Sequence, residues 1–258
     1  MNTAPQPLLE LDRVAKHFGG LIAVDHCSFH VHEGRITGLI GPNGAGKTTA
    51  FNLIAGVLKP DAGEIRFRGE SLVGESPERI VHRGLVRTFQ IPRAFGRLTV
   101  WENVMFAGQR QPGERALGAL LRRRWRPRER QLAAQAGDIL DLLELRELQN
   151  EPASSLSGGQ RKLLELARAL MTEPQLILLD EPIAGVNPTL ARKIAEKIVE
   201  LNDDGMSFLI IEHDIDLIMR LCHRVIAMHQ GRTLVEGDPD TVRHDERLLE
   251  AYLGGQAA

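Results

Sequence analysis

The stretch from Ile36 to Thr48 constrains this chain more tightly than any other. Ile36 to Ile40 is an apolar run of buried-strand type and a helical pattern begins after Lys47. Between them Gly41-Pro42-Asn43-Gly44-Ala45-Gly46-Lys47-Thr48 satisfies G-x-x-x-x-G-K-[ST]. A strand that feeds a helix through such a loop belongs to an α/β sheet. The glycines free successive backbone N–H groups to wrap a polyphosphate, and the helix N-terminus adds positive potential. Lys47 is placed to reach the β- and γ-phosphates and Thr48 to ligand Mg²⁺, while Thr49 completes the first helical turn.

A second apolar run, Leu176 to Leu179, ends in Asp180-Glu181-Pro182. Carboxylates at the end of a buried strand lie where open α/β sheets bind ligands. Asp180 suits the Mg²⁺ shell, and Glu181, one residue past it, suits the base that holds an attacking water, since that base cannot also be tied to the metal. Leu156-Ser157-Gly158-Gly159-Gln160 precedes a helix with the apolar face Leu163, Leu166, Ala167 and Leu170, so Ser157 occupies the N-cap position and the glycines open the first turn. A cap with exposed amides is a second anion-binding start. The chain thus carries two such starts and one P-loop lysine.

Around these motifs, Leu8 to Val14 and Ala23 to Val31 alternate as strands, with Leu9 and Leu11 on one face of the first and Cys27, Phe29 and Val31 on one face of the second. They read as an antiparallel sheet. Leu176 to Leu179 and Phe208 to Ile211 flank a helix bearing Leu190, Ile194, Ile198 and Leu201, which is the βαβ rhythm of a parallel sheet. Thr99 to Met171 is helical in pattern, with breaks expected at Pro112-Gly113, Pro127 and Pro152. The longest apolar runs fall well short of the ~20 residues that span a bilayer, and the first residues lack the basic start of a signal peptide, so a soluble chain is expected. A formal net charge of −2 and 4% aromatic residues argue against nucleic acid as a partner.

The order P-loop, Gln90, Leu156 to Gln160, Asp180-Glu181 and His213 resembles the nucleotide-binding subunits of ATP-binding-cassette (ABC) transporters over nearly the whole chain. Leu-Ser-Gly-Gly-Gln ahead of the carboxylate pair is the signature of that superfamily. The resemblance implies a P-loop NTPase core with a mixed sheet and an antiparallel β subdomain (8–98 and 174–237), an inserted α-helical subdomain (99–173) and a C-terminal helical tail (238–258), all within one ABC ATPase domain. It implies ATP and Mg²⁺ as ligands, with Phe18 stacking on adenine, Gln90 contacting Mg²⁺ or water and sensing the membrane subunit, and His213 contacting the γ-phosphate. Ser157, Gly158, Gly159 and Gln160 would meet the ATP held by a second subunit in a head-to-tail dimer, which accounts for two anion starts in one chain.

Arg87-Thr88-Phe89-Gln90, Leu98 to Val104, Ala184-Gly185-Val186-Asn187-Pro188 and Glu250-Ala251-Tyr252-Leu253-Gly254 are similar to the ATPase subunits of branched-chain amino-acid importers. This implies membrane permease subunits as partners, contacted through Val86 to Phe95, a periplasmic solute-binding protein acting indirectly, and a peripheral place on the cytoplasmic face of the membrane. Lipopolysaccharide-export and urea-type transporter ATPases are the alternatives, with a soluble cassette ATPase acting on DNA or ribosomes behind them. Asn187 departs from the superfamily pattern, which has Asp there; the hydrogen-bonding capacity stays and the charge goes.

Other features read more plainly. His26, His30 and His32 crowd one strand without a further convergent ligand, as a solvated sheet face does. Arg110, Arg115, Arg122, Arg123, Arg124, Arg126, Arg128 and Arg130 face only Glu114 and Glu129, which fits either a solvated helix face or attraction to anionic headgroups. Cys27 and Cys222 follow no metal or disulfide spacing and read as buried thiols. Leu248, Leu249 and Tyr252 have helical spacing suited to docking the tail on its own domain.

Overall fold

The computed structural model describes residues 6–88, 94–108 and 122–254. They fall into two compact units, one of Met1–Arg87, Gln175–Ala184 and Ile198–Ala258, the other of Thr88–Pro174 and Gly185–Lys197.

The first unit holds two sheets. Strands β1 (Leu9–Phe18), β2 (Leu21–Val31), β4 (Ala62–Phe67) and β5 (Glu70–Ser71) form an antiparallel sheet in the order β2-β1-β4-β5. Leu9 pairs with Val31 and Phe67, and Leu11 with Phe29 and Ile65, so one face of three strands is apolar throughout and fully buried. The alternation then slips. Arg13 and His26 take left-handed backbone angles (φ 47° and 48°), the register shifts between Leu11 and Val14, and the inward positions continue at Val14 and Val24. Gly63 accommodates this bulge, because a Cβ there would stand 2.2 Å from the Arg13 carbonyl oxygen.

The second sheet runs in the order β10-β9-β3-β8-β7-β6. Its strands are β3 (Ile36–Ile40), β6 (Leu85–Arg87), β7 (Leu176–Asp180), β8 (Ser207–Ile211), β9 (Arg224–His229) and β10 (Arg232–Gly237). All neighbours are parallel except the β9–β10 hairpin. β3, β7 and β8 are buried at every residue, which is why they read as apolar runs and not as alternation. Leu39, Leu178 and Leu209 share a core with Phe29 and Phe67 of the first sheet and with Phe51 and Ile54 of helix α1 (Lys47–Ile54). Helix α2 (Pro77–His82) caps on Ser76, and helix α7 (Ile215–Leu221) approaches β3 so closely that a Cβ on Gly38 would lie 2.6 Å from Ile218 Cγ2. Helices α8 (Pro239–Arg243) and α9 (Glu246–Gly254) close the unit. In α9, Leu248 and Ala251 are buried while Leu249 is exposed, a correction to the expected docking face, since adjacent helical residues lie about 100° apart.

The second unit is helical, with α3 (Val100–Phe106), α4 (Arg122–Leu142), α5 (Gly158–Leu170) and the first turns of α6 (Pro188–Asp203). Contrary to expectation, Pro127 does not break α4. A proline inside a helix costs about 3 kcal/mol, and the buried Leu132, Ala136, Ile139 and Leu140 downstream offset it. Pro152 lies in the break between helices, but α4 has already ended at Leu142, and Pro152 sits between two short 3₁₀ turns. Pro112-Gly113 lies outside the described residues. No helix among the described residues is long and apolar enough to cross a membrane.

Candidate active site

In the first unit, four neighbouring parallel strands, β3, β8, β7 and β6, each deliver a functional group at the carboxyl end. β3 runs into the loop Gly41 to Gly46. The two ends of that loop cannot be anything but glycine: at Gly41 (φ 149°) a Cβ would lie 2.2 Å from the Met228 carbonyl oxygen, and at Gly46 (φ 99°) 2.5 Å from that of Ala23. Gly44 (φ 80°) faces open space. Between them Ala45 is buried and Asn43 exposed. The loop is strapped by Gly231, whose N–H donates to the Ala45 carbonyl (3.0 Å) and whose carbonyl accepts from Asp25 N–H (2.9 Å).

Lys47 folds back over this loop and donates to the carbonyls of Gly41 (2.6 Å) and Pro42 (3.1 Å). Burial holds its ammonium below the ordinary lysine range, opposed by the nearby charges of Glu181 and Asp180. Thr48 is exposed on the first turn of α1 and Thr49 half-buried. Phe18, at the end of β1, is 46% exposed, with Lys16 Nζ 5.7 Å from its ring centre.

β7 ends in Asp180, a buried carboxylate that accepts from Arg87 Nη2 at 2.7 Å. Glu181 follows in the left-handed region (φ 50°), its N–H still donating to the Ile211 carbonyl of β8 at 2.9 Å. For a residue with a Cβ that conformation is strained by about 1–2 kcal/mol, and such strain gathers at functional sites. It turns the Glu181 carboxylate toward β8, where Oε1 lies 2.9 Å from His213 Nε2. Behind this pair the buried Glu212 accepts the Ile183 N–H (2.9 Å) and so ties the two strand ends together. Thr48 and Asp180 offer oxygen donors, the chemistry that a hard cation such as Mg²⁺ takes, and the glycine cradle with Lys47 fits a polyphosphate.

Ser157, Gly158, Gly159 and Gln160 belong to the second unit. Ser157 caps α5 as expected: its Oγ accepts from Gln160 N–H (3.3 Å), and the Gln160 side chain accepts in return from Ser157 N–H (2.9 Å). A Cβ on Gly158 would face open space, whereas one on Gly159 would come within 2.0 Å of Leu190 Cδ2. Gly159 therefore serves packing against α6, a role not visible in the signature itself. Asn187 caps α6 by accepting from Leu190 N–H (3.0 Å), a task in which Asn and Asp are equivalent. Gln90 and the side chains of Arg110, Arg115, Arg122, Arg123, Arg124 and Arg126 lie outside the described residues.

The sequence singles out Arg87 only within the Val86 to Phe95 stretch and Tyr252 only as a residue that docks the tail. Arg87 holds Asp180, and burial pushes the Tyr252 phenol up, opposed by the Gly41 backbone. The Arg87–Asp180 partnership spans no recognisable spacing. Elsewhere, no group of three or more His, Cys, Asp or Glu side chains converges as a metal site among the described residues; His30 lies 3.7 Å from Glu10. Cys27 and Cys222 are free, buried thiols, pushed up to about 11 and about 12 by burial.

Comparison with known proteins gives the family. The ABC transporter family pattern matches residues 24–184. The high-affinity branched-chain amino acid transport ATP-binding protein LivG of Salmonella typhimurium is 39% identical over 251 residues, covering 96% of this chain and 98% of that protein. BraF of Pseudomonas aeruginosa, of the same description, is 37% identical with the same coverage. Among solved structures, a nucleotide-free ATP-binding cassette from an ABC transporter superposes with a TM-score of 0.82 at 39% identity, covering 96% of this chain and 99% of that one, and the ADP conformation of an ATP-binding cassette of an ABC transporter with 0.83 at the same identity and coverage. With the glycine cradle, the strand-end carboxylates and the capped signature helix all in place, the chain belongs to the ABC transporter family.

Proposed function

We propose that this chain is the ATP-hydrolysing subunit of an importer for branched-chain or related amino acids, bound to permease subunits at the cytoplasmic face of the membrane and supplied by a periplasmic solute-binding protein. The observation that carries the catalytic part is the convergence of the Gly41 to Thr48 loop, Asp180 and the Glu181–His213 pair on the ends of β3, β7 and β8 in one unit. The importer assignment rests on the names of the full-length relatives, LivG and BraF.

In this reading the backbone N–H groups from Pro42 to Lys47 cradle the phosphates of ATP and Lys47 exchanges its loop carbonyls for phosphate oxygens. Phe18 offers its exposed ring to the adenine. Thr48, Asp180 and Gln90 hold Mg²⁺, which neutralises charge developing on the phosphates. Glu181 accepts the proton of the attacking water, oriented by His213, whose ring also reaches the γ-phosphate. Ser157, Gly158, Gly159 and Gln160 bind the ATP of a second subunit arranged head to tail, and Gln90, after Val86 and Arg87, senses the permease.

The experiment mixes two damaged proteins. Lys47→Ala spoils the P-loop and Ser157→Arg blocks the signature helix by bulk and charge; each alone has both composite sites damaged. In a mixed dimer, verified with two tags, one intact P-loop faces one intact signature and ATPase returns. If mixed dimers stay inactive, either each site is self-contained or both must be intact, and mixing the double variant, with both substitutions on one chain, with wild type decides: a wild-type subunit that stays active there overturns the composite site. For the transport assignment, the chain should co-purify with permease subunits from solubilised membranes and energise uptake of labelled leucine; binding to ribosomes or DNA instead would overturn it.

A further inference from the structure

Arg87 is the last residue of β6, and the hydrolysis chemistry above does not use it. Its guanidinium lies between two elements of the site. Nη1 donates to Asn52 Oδ1 of α1 at 2.6 Å, Nη2 donates to Asp180 Oδ2 of β7 at 2.7 Å, and the group stands 5.7 Å from the Phe51 ring centre. The side chain is only 12% exposed and that of Asp180 2%. Yet Arg87 Nε is buried and has no acceptor among the described residues.

A purely structural ion pair answers poorly to this geometry. A buried pair has to recover the desolvation of two charges through complete hydrogen bonding, and an orphaned buried donor works against it. Packing alone would be served as well by an apolar side chain against Phe51. What the arrangement does supply is a counter-charge hydrogen-bonded directly to Asp180, a buried carboxylate. The charge of Lys47 also acts on Asp180, but its hydrogen bonds go to the carbonyls of Gly41 and Pro42, so the direct ion pair is that of Arg87. Arg87 also holds a second, neutral partner in Asn52, so it can release the carboxylate without being stranded.

The geometry points to Arg87 as a positioning residue that competes with the divalent cation for Asp180: it holds the carboxylate in place until the metal–nucleotide complex arrives and then withdraws toward Asn52. The inference rests on the reading of Asp180 as a metal ligand. Two cations on one buried carboxylate repel strongly at low dielectric, so the metal binds against the arginine, and removing the arginine charge tightens metal binding while loosening the protein without metal.

The test uses the purified full chain with Mn²⁺ as the probe, read by the electron paramagnetic resonance of free Mn²⁺ in the presence of saturating ATPγS. Arg87→Gln, which keeps hydrogen-bonding capacity and loses the charge, should bind Mn²⁺ about tenfold more tightly than the wild type, the factor that corresponds to one charge-assisted hydrogen bond of ~1.5 kcal/mol. Arg87→Lys, which restores the charge, should return toward the wild-type value. The same variants give a second readout in thermal denaturation: Arg87→Gln should melt below the wild type without metal, and the gap should close at saturating Mn²⁺ and ATPγS. An equal gap in both conditions, with unchanged Mn²⁺ affinity, would make Arg87 a structural residue and overturn the inference. Should Arg87→Gln fail to fold, the wild type suffices: the guanidinium resonances of Arg87, in protein carrying ¹⁵N-arginine, should shift when Mg²⁺ joins ATPγS and not when ATPγS is added with chelator, and immobility overturns the proposal. Asp180→Asn separates the two levels. If it leaves Mn²⁺ affinity untouched, the reading of Asp180 falls and the competition with it; if it weakens binding while Arg87→Gln has no effect, only the role of Arg87 falls.

Discussion

Glu181→Gln isolates chemistry from fold at one position. Gln keeps the length of the side chain, the left-handed backbone (φ 50°) and the N–H donated to the Ile211 carbonyl at 2.9 Å. Its amide oxygen still accepts from His213 Nε2, now 2.9 Å from Glu181 Oε1, in the tautomer that carries that proton. The strain of about 1–2 kcal/mol in the left-handed conformation is common to both residues and cancels. Loss of the charge alters a hydrogen bond to a half-exposed imidazole, and changes of that kind stay within about 0.5 kcal/mol. What the variant lacks is a group basic enough to take a proton from water. General-base catalysis contributes about 10² to 10⁴ in rate, equivalent at 1.36 kcal/mol per decade to roughly 3–5 kcal/mol of barrier. Phosphate release under saturating Mg²⁺ and ATP should therefore fall by that factor while binding of a fluorescent nucleotide and the melting temperature stay close to the wild type, and ATP-bound dimers should accumulate on size exclusion. Turnover within threefold of the wild type would remove Glu181 as the base. A loss of activity accompanied by a large drop in melting temperature would show that the residue acts through the fold instead.

Gly46→Ala places a Cβ 2.5 Å from the Ala23 carbonyl in a left-handed position, so it should cost at least 1–2 kcal/mol of stability and weaken nucleotide binding, seen as a lower melting temperature and a higher dissociation constant; wild-type values for both would reject the cradle geometry. Lys16 and the His17 N–H hold the Asp61 carboxyl down from 3.8 to about 2, so it binds a proton less readily folded than unfolded. Its contribution is complete above pH 4 and lost as pH falls through 2. The stability difference between the wild type and Asp61→Asn should therefore vanish over that window in acid titration, and a difference that persists at pH 1.5 would contradict it. Cys27 and Cys222, with thiols pushed up to about 11 and about 12 by burial, should resist iodoacetamide at pH 8 in the native protein and react on unfolding; rapid native labelling would refute their burial.

Much of this protein was legible in the order of its residues, because the signals are local. A strand buried on both faces must be apolar throughout, so Ile36 to Ile40, Leu176 to Leu179 and Phe208 to Ile211 announced the parallel sheet. A phosphate cradle needs glycine at fixed offsets before Lys47, and a helix start needs a cap, so Gly41 to Thr48 and Ser157 to Gln160 could be placed and their ligands inferred. What the tertiary structure decided involves residues distant in sequence. The bulge at Arg13 and His26 depends on Gly63 in a third strand, so no alternation within β1 or β2 could announce it. Pro127 stays within a helix because apolar residues one to four turns later are packed. Gly159 is a glycine for the sake of Leu190, thirty-one positions on. Arg87 and Asp180 are 93 residues apart, and only the parallel pairing of β6 with β7 sets them side by side. Periodicity reports the face a residue presents; which charge meets it across the sheet is fixed by strand order, and strand order is a property of the folded chain.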